Sequence, residues 1–353
     1  MSEAMLIQPF ATQLARILME NERNASIFDI HQSLFYRPRA NSPHAVPNLF
    51  GRYLATPVGP SAGPHTQLSQ NIVSAFLCGG RFMELKTVQL QDRLTIPRPC
   101  IDMTDEGYNV EWSQELTLED SAHEYVVAWA LVHILPRLLG WDGDALPPDR
   151  LPGVIFDMSV GYDFDGITHP RMQHFMDVLA DASEPLSVIQ ACVRREFPQF
   201  ADINIPTRIV NSVTLSTMHG CPPNEIEKIA RHLLRERELH TVVKLNPTLL
   251  GAEAVRDIVN RQLGFAEITI PDSVFEHDLK WDAAVDLVSA LRREGEARGL
   301  TFGVKLSNTL ATANHTGRLP GDQMYMSGRA LYPVTMQLFD RVTQTFGGDL
   351  HVS

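Results

Sequence analysis

Short apolar runs alternate with amphipathic segments along most of the chain. Seven runs have the length and composition of strands: residues 53–58, 81–88, 154–160, 212–217, 241–245, 265–270 and 301–306. The segments between them carry the helical period. Ile226, Ile229, Ala230, Leu233 and Leu234 fall on one face of a helix expected to begin at Asn224, with Glu227 completing a capping box and Pro222 and Pro223 blocking backward extension. Residues 282–298 repeat the pattern through Val285, Val288 and Leu291 and stop at Gly299. Strand alternating with helix implies an α/β fold with a parallel sheet.

A doubly wound sheet and a barrel both satisfy that alternation, and the placement of polar residues separates them. Glu84-Leu85-Lys86-Thr87, Lys244-Leu245-Asn246-Pro247 and Lys305-Leu306-Ser307-Asn308-Thr309 each put lysine and small polar groups at the carboxyl end of an apolar strand. A barrel brings all such ends to one face, where its active sites are built. No Gly-x-Gly-x-x-Gly follows the first strand, as a dinucleotide fold would require. The expected architecture is therefore a TIM-barrel-like (β/α)8 fold over residues 49–353. Residues 1–48, one helix followed by a stretch through Pro38, Pro43 and Pro47, read as an N-terminal extension.

Composition narrows the function classes. Hydrophobic residues make up 44% and charged residues 20% of the 353, the balance of a folded globular protein. A formal charge of −12 disfavours general binding to nucleic acid or to anionic membranes, which attract net basic surfaces. The longest apolar stretch, 126–135, is about half of the roughly 20 residues that a spanning helix needs. With no basic and apolar leader after Ser2 and Glu3, the expected location is cytoplasmic. Cys78, Cys100, Cys192 and Cys221 form no Cys-x-x-Cys pair, so they read as free thiols rather than cluster or zinc ligands.

Several residues could carry chemistry. In Thr56-Pro57-Val58-Gly59-Pro60-Ser61-Ala62-Gly63-Pro64-His65, small residues would let backbone N–H groups approach a flat ligand, although the run also reads as a Pro/Gly turn leaving a strand. Lys86 and Lys244 lie in apolar strand sequence, where a buried ammonium needs a compensating anion. That anion is either a bound ligand or Glu84, two residues before Lys86 on the same face. Lys305 is one parity off Asn308 and is expected to point outward. Cys221 stands where a strand gives way to a helix, a place that suits a reactive thiol, but a lone cysteine is more often a small buried residue. His65 and His219 have no second ligand at metal-site spacing and read as polar loop residues; no metal site is expected.

Taken together, the 55–68 run, Glu84-Leu85-Lys86-Thr87-Val88, Met158-Ser159-Val160-Gly161-Tyr162, Leu215-Ser216-Thr217-Met218-His219-Gly220-Cys221-Pro222-Pro223, Val243-Lys244-Leu245-Asn246-Pro247-Thr248 and Met324-Tyr325-Met326-Ser327-Gly328-Arg329-Ala330-Leu331-Tyr332-Pro333 resemble the selenate reductase subunit family of iron-sulfur flavoprotein oxidoreductases. More distantly they are similar to the flavin mononucleotide (FMN) barrels of dihydroorotate and dihydropyrimidine dehydrogenases. The resemblance implies flavin-dependent hydride transfer on a small-molecule substrate. It places cofactor-binding roles on Ala62, Gly63, Lys86, Thr87, Lys244, Ser327 and Gly328, substrate-binding roles on Asn308 and Thr309, and the catalytic proton on Cys221. Gly220 and Met218 depart from the dihydropyrimidine dehydrogenase loop, which has serine and a substrate-binding asparagine there, so pyrimidine recognition is not implied.

The family's longer members carry iron-sulfur clusters, FAD and NAD(P)H sites in further domains, which the resemblance makes the electron-transfer partners of this barrel. The stretch Gly347-Gly348-Asp349-Leu350-His351-Val352 is expected to stop short of the family's Gly-Gly phosphate turn and last strand, leaving the barrel incomplete at its carboxyl end. Self-association and a non-catalytic interaction subunit that needs a partner polypeptide follow as the alternative, because an open barrel exposes strand edges.

Overall fold

The computed structural model describes residues 5–39, 42–103, 107–110, 114–141, 146, 150–216 and 221–353. Six strands form one parallel sheet: β1 (Phe82–Glu84), β2 (Ile155–Val160), β3 (Ser212–Leu215), β4 (His240–Leu245), β5 (Phe302–Leu306) and β6 (His351–Val352). Each pairs with the next in chain order. A doubly wound sheet reverses its order at a switch point; this one never does, which is the order of a barrel.

The sheet also curls. Flat, with neighbours about 4.8 Å apart, β1 and β5 would stand roughly 19 Å from each other. Instead the Glu84 carboxylate on β1 meets Lys244 Nζ on β4 at 3.0 Å and Lys305 Nζ on β5 at 3.3 Å. Only a sheet bent around a common axis brings those side chains together, and the fold is accordingly the expected α/β, TIM-barrel-like one.

Alternate residues divide the sheet into two chemistries. Met83, Phe156, Met158, Val160, Val213, Leu215, Val243, Leu245 and Val304 face outward into the main core, packed by helices that include Leu118–Leu138, Pro170–Ala180, Pro223–Arg235 and Trp281–Ala297. The inward set is mainly polar, Glu84, Asp157, Ser159, Ser212, Thr214, Lys244 and Lys305, with the apolar Ile155 and Val242 at the same parity. The amino-terminal helix Phe10–Asn24 contributes Phe10, Leu14 and Ile17 to the same core. Among the described residues no helix is long and apolar enough to cross a membrane; the apolar 126–135 stretch is buried within Leu118–Leu138.

The floor of the barrel is aromatic. Val46–Leu49 and Arg52–Leu54 form a hairpin whose turn residues Phe50 and Gly51 both have positive φ, 52° and 75°, the sign pattern of a type I′ turn. This drives the Phe50 ring inward against His240 (5.0 Å between ring centroids, stacked), His351 (5.2 Å) and Phe82 (6.3 Å).

Three expectations are corrected. The 53–58 run is not one regular strand: after the hairpin, an extended segment lies beside β1 and accepts Phe82 N–H at Val58 and Glu84 N–H at Pro60, while Pro57 and Pro60 have no N–H to return. The 265–270 run is a turn-containing loop. Its Ile268 and Ile270 are buried in a second, smaller core, and their alternation imitates a strand. The helix expected from Asn224 spans Pro223–Arg235, with Pro222 in the cap position, so Asn224 lies inside its first turn; the five predicted face residues are all buried.

The smaller core underlies an antiparallel sheet of Leu310–Ala313, Gln323–Met326, Tyr108–Asn109 and Ile101–Asp102, in that order. It roofs the carboxyl ends of the parallel strands, and the periodicity of the sequence does not announce it.

Candidate active site

Between the roof and the strand ends lies a cavity of about 460 Å³, within the range of small-molecule and cofactor sites. Its walls bring together Ala62, Gly63, Lys244, Asn308, Thr309, Ser327 and Gly328, seven of the ten residues singled out above. Ser61, Pro64, His65, Lys305 and Ser307 join them, and the roof adds Ile101, Met103 and Asn109.

Local geometry explains why these groups converge. Gly59 lets the first segment pass against β1, since a Cβ there would stand 1.6 Å from the Phe82 carbonyl oxygen. The chain then turns at Ala62 and Gly63, where Ala62 N–H donates to Glu84 Oε2 at 2.9 Å and Gly63 N–H to Thr66 Oγ1 at 3.2 Å. Lys244 and Lys305 are register partners on β4 and β5 and project at one level. Past β5, Asn308 N–H bonds Leu245 O at 2.8 Å and the Asn308 side chain accepts Thr309 N–H at 3.0 Å, which fixes both residues on the wall. Ser327 N–H donates to Gly107 O, tying the Ser327-Gly328 turn to the roof.

Glu84 is 1% exposed. Burial alone would push its carboxyl up, but Lys244 and Lys305 together hold it down to about 2. Lys305 is thus a wall residue and not an outward one. Its parity was counted from Asn308, whereas the strand ends at Leu306. Lys86 sits deeper. No carboxylate among the described residues pairs with it, and burial, with Lys244 nearby, brings its ammonium down to about 7 although Glu84 acts in the opposite sense. The ion pair that would have explained Lys86 goes to the other two lysines.

Behind the wall, Thr87 Oγ1 and Ser159 Oγ share a hydrogen bond of 2.8 Å. Asp157, fully buried, accepts from Ser212 Oγ and Thr214 Oγ1 at 2.6 Å each. Burial raises it to about 6; the two hydroxyls and Lys305 oppose that rise, and Glu84 adds to it. His65, on the wall, is lowered by burial and by Lys86.

Cys221 is half-buried next to the start of Pro223–Arg235 and is not among the lining residues. Burial, with Glu225 and Asp163, pushes its thiol up to about 11, so at neutral pH it is a protonated thiol. Met218, His219 and Gly220 lie outside the described residues.

Sequence reasoning missed Lys305, Ser307, His65 and the roof residues. The parallel between Lys244-Leu245-Asn246 and Lys305-Leu306-Ser307 is a signal that could have found Lys305 and Ser307. Nothing comparable points to Ile101 or Asn109, whose strands are two residues long.

Comparison with known proteins matches residues 28–353 to a family described as the oxidoreductase YgfK, N-terminal TIM-barrel domain. The YgfK proteins of Escherichia coli strain K12 and of Escherichia coli O157:H7, both named as oxidoreductases, are each 44% identical over 372 aligned residues that take in 100% of this chain. The chain spans about a third, 35%, of the length of these relatives. Among solved structures, DHODH from Eimeria tenella in complex with ferulenol aligns at 14% identity and a TM-score of 0.36, covering 84% of this chain and 80% of that one.

Proposed function

The chain belongs to the YgfK family of oxidoreductase N-terminal TIM-barrel domains, and from that premise we propose that its roofed cavity binds the ring of flavin mononucleotide and serves an oxidoreductase reaction on a small planar substrate. One observation carries the reading. Lys244 and Lys305 line the cavity beside a turn of small residues, Lys86 is buried close to them, and among the described residues Glu84 is the one carboxylate that pairs with any of the three. Such a surplus of buried ammonium suits an electron-rich flat ring that gains negative charge when reduced.

When bound, the flavin would supply the hydride exchange that no side chain provides. The protein's part is binding, orientation and protons. The Ala62-Gly63 turn, the ammonium groups of Lys244 and Lys305, and Ser327 and Gly328 line one cavity and are the residues that would hold the flavin. Asn308 and Thr309 offer the substrate an amide and a hydroxyl, while the apolar side chains of Ile101 and Met103, exposed on their outer side, border the site from above. In this reading Cys221, held protonated, gives a proton to the substrate. Electrons reach the site from iron-sulfur, FAD and NAD(P)H domains or subunits, in a cytoplasmic assembly. The proposal extends to selenate as the acceptor, which reoxidation of the reduced, flavin-loaded enzyme on adding selenate would test.

Titrating FMN into the purified chain and following quenching of flavin fluorescence tests the core of it. Saturable binding, weakened at least tenfold by Lys244→Ala, is expected; no saturable binding removes the reading.

A further inference from the structure

Resting on that cofactor reading but testable without it, we propose that Glu84 is the positioning residue of this site. Its one buried carboxylate sets the place and charge of both wall lysines and of the turn they face.

Lys244 and Lys305 are direct register partners on adjacent parallel strands, so their side chains leave the sheet side by side. Two ammonium groups so placed repel, and both are nearly buried, with side chains 9% and 13% exposed. Left alone they would splay apart or shed a proton. Glu84 comes from three and four strands away across the barrel and meets each lysine with a different oxygen, Oε1 to Lys244 on β4 and Oε2 to Lys305 on β5. Oε2 also accepts the Ala62 amide. Three elements of the wall, β4, β5 and the turn after the first segment, are therefore referenced to one carboxylate on β1. Because that carboxylate is committed to the two lysines, Lys86 has no ion-pair partner among the described residues.

A purely structural role would need only an acceptor for Ala62 and a side chain of the right volume, and Glu84→Gln supplies both. The two roles separate when lysine reactivity is read site by site. Acetic anhydride acylates only unprotonated lysine, so mass spectrometry across pH 7 to 10 reports how firmly each ammonium holds its proton. In Glu84→Gln, Lys244 and Lys305 should be acetylated about tenfold faster at pH 8 than in the parent, because each loses the anion that stands 3.0 or 3.3 Å from its ammonium. Glu84→Asp, which restores the charge, should bring the profile back toward the parent.

Unchanged rates at both lysines in a folded Glu84→Gln protein overturn the proposal. Should that variant not fold, Lys305→Gln decides: with Glu84 serving Lys244 alone and the neighbouring cation gone, Lys244 should be acetylated more slowly than in the parent, and an equal or faster rate is a refutation. FMN titration in parallel keeps the two ideas apart. If the parent chain fails to bind FMN the cofactor reading falls, whereas the acetylation profiles still judge Glu84.

Discussion

At the scale of single residues, two carboxylates a strand apart titrate in opposite directions, and the difference is who faces them. Glu84 meets two ammonium groups and stays ionised; Asp157 meets two hydroxyls and is raised by burial to about 6. A carboxyl whose folded pKa exceeds its unfolded value stabilises the fold below the unfolded value, near 3.8, and loses that contribution as pH rises through about 6. Asp157→Asn should therefore add on the order of 2 kcal/mol of stability at pH 7.5, seen as a higher melting temperature, with the gain shrinking toward pH 4. Parallel thermal melts at the two pH values check this; a loss of stability at pH 7.5 would mean that the ionised carboxylate is needed. Cys221 admits an equally direct test. If its thiol supplies the substrate proton, Cys221→Ser in flavin-loaded enzyme slows turnover by roughly 10² to 10⁴, the usual range for a lost general acid, and leaves FMN affinity unchanged.

At the scale of elements, legibility followed length. Strands such as Ile155–Val160 and His240–Leu245, and the face of Pro223–Arg235, were readable because each repeats its period several times. The roof was not, since Ile101–Asp102 and Tyr108–Asn109 hold two residues each and no periodicity can show in two positions. The false strand at 265–270 is the converse case, in which Ile268 and Ile270 alternate by chance of burial under that roof. The first barrel segment was half legible. Its prolines forbid a regular ladder, yet Gly59 marks the close passage against β1 that replaces one. Gly59→Ala would press a methyl group into the Phe82 carbonyl and must displace backbone, not a flexible side chain. The expected loss is about 3 kcal/mol or more, measured by denaturant unfolding; a loss below about 1 kcal/mol would show that the segment can move away freely.

At the scale of the whole molecule, the sheet turns its apolar face outward to the helices and keeps its charge inside, so the barrel interior is an electrostatic chamber with an aromatic floor and a roofed mouth. The lysines and small polar groups of this chamber were legible as strand-end residues. Their pairing was not, because it depends on which strands face each other once the sheet curls. Within that chamber Lys86 is a cation that no carboxylate among the described residues pairs with, which makes it a burden to the fold alone and an asset to a bound anion-like ring. Its folded pKa, about 7, lies below the ordinary 10.5, so the unfolded chain binds the proton more readily across that interval and stability rises with pH from about 7 toward 10.5. Lys86→Met keeps the length of the side chain and removes the charge. The variant should melt above the parent at pH 6.5, by the equivalent of a few kcal/mol, with the difference closing as pH approaches 10, and it should bind FMN at least tenfold more weakly. Opposite movements of stability and affinity are what distinguish a charge kept for a ligand from one kept for the fold; a variant that loses both would place Lys86 among the structural residues.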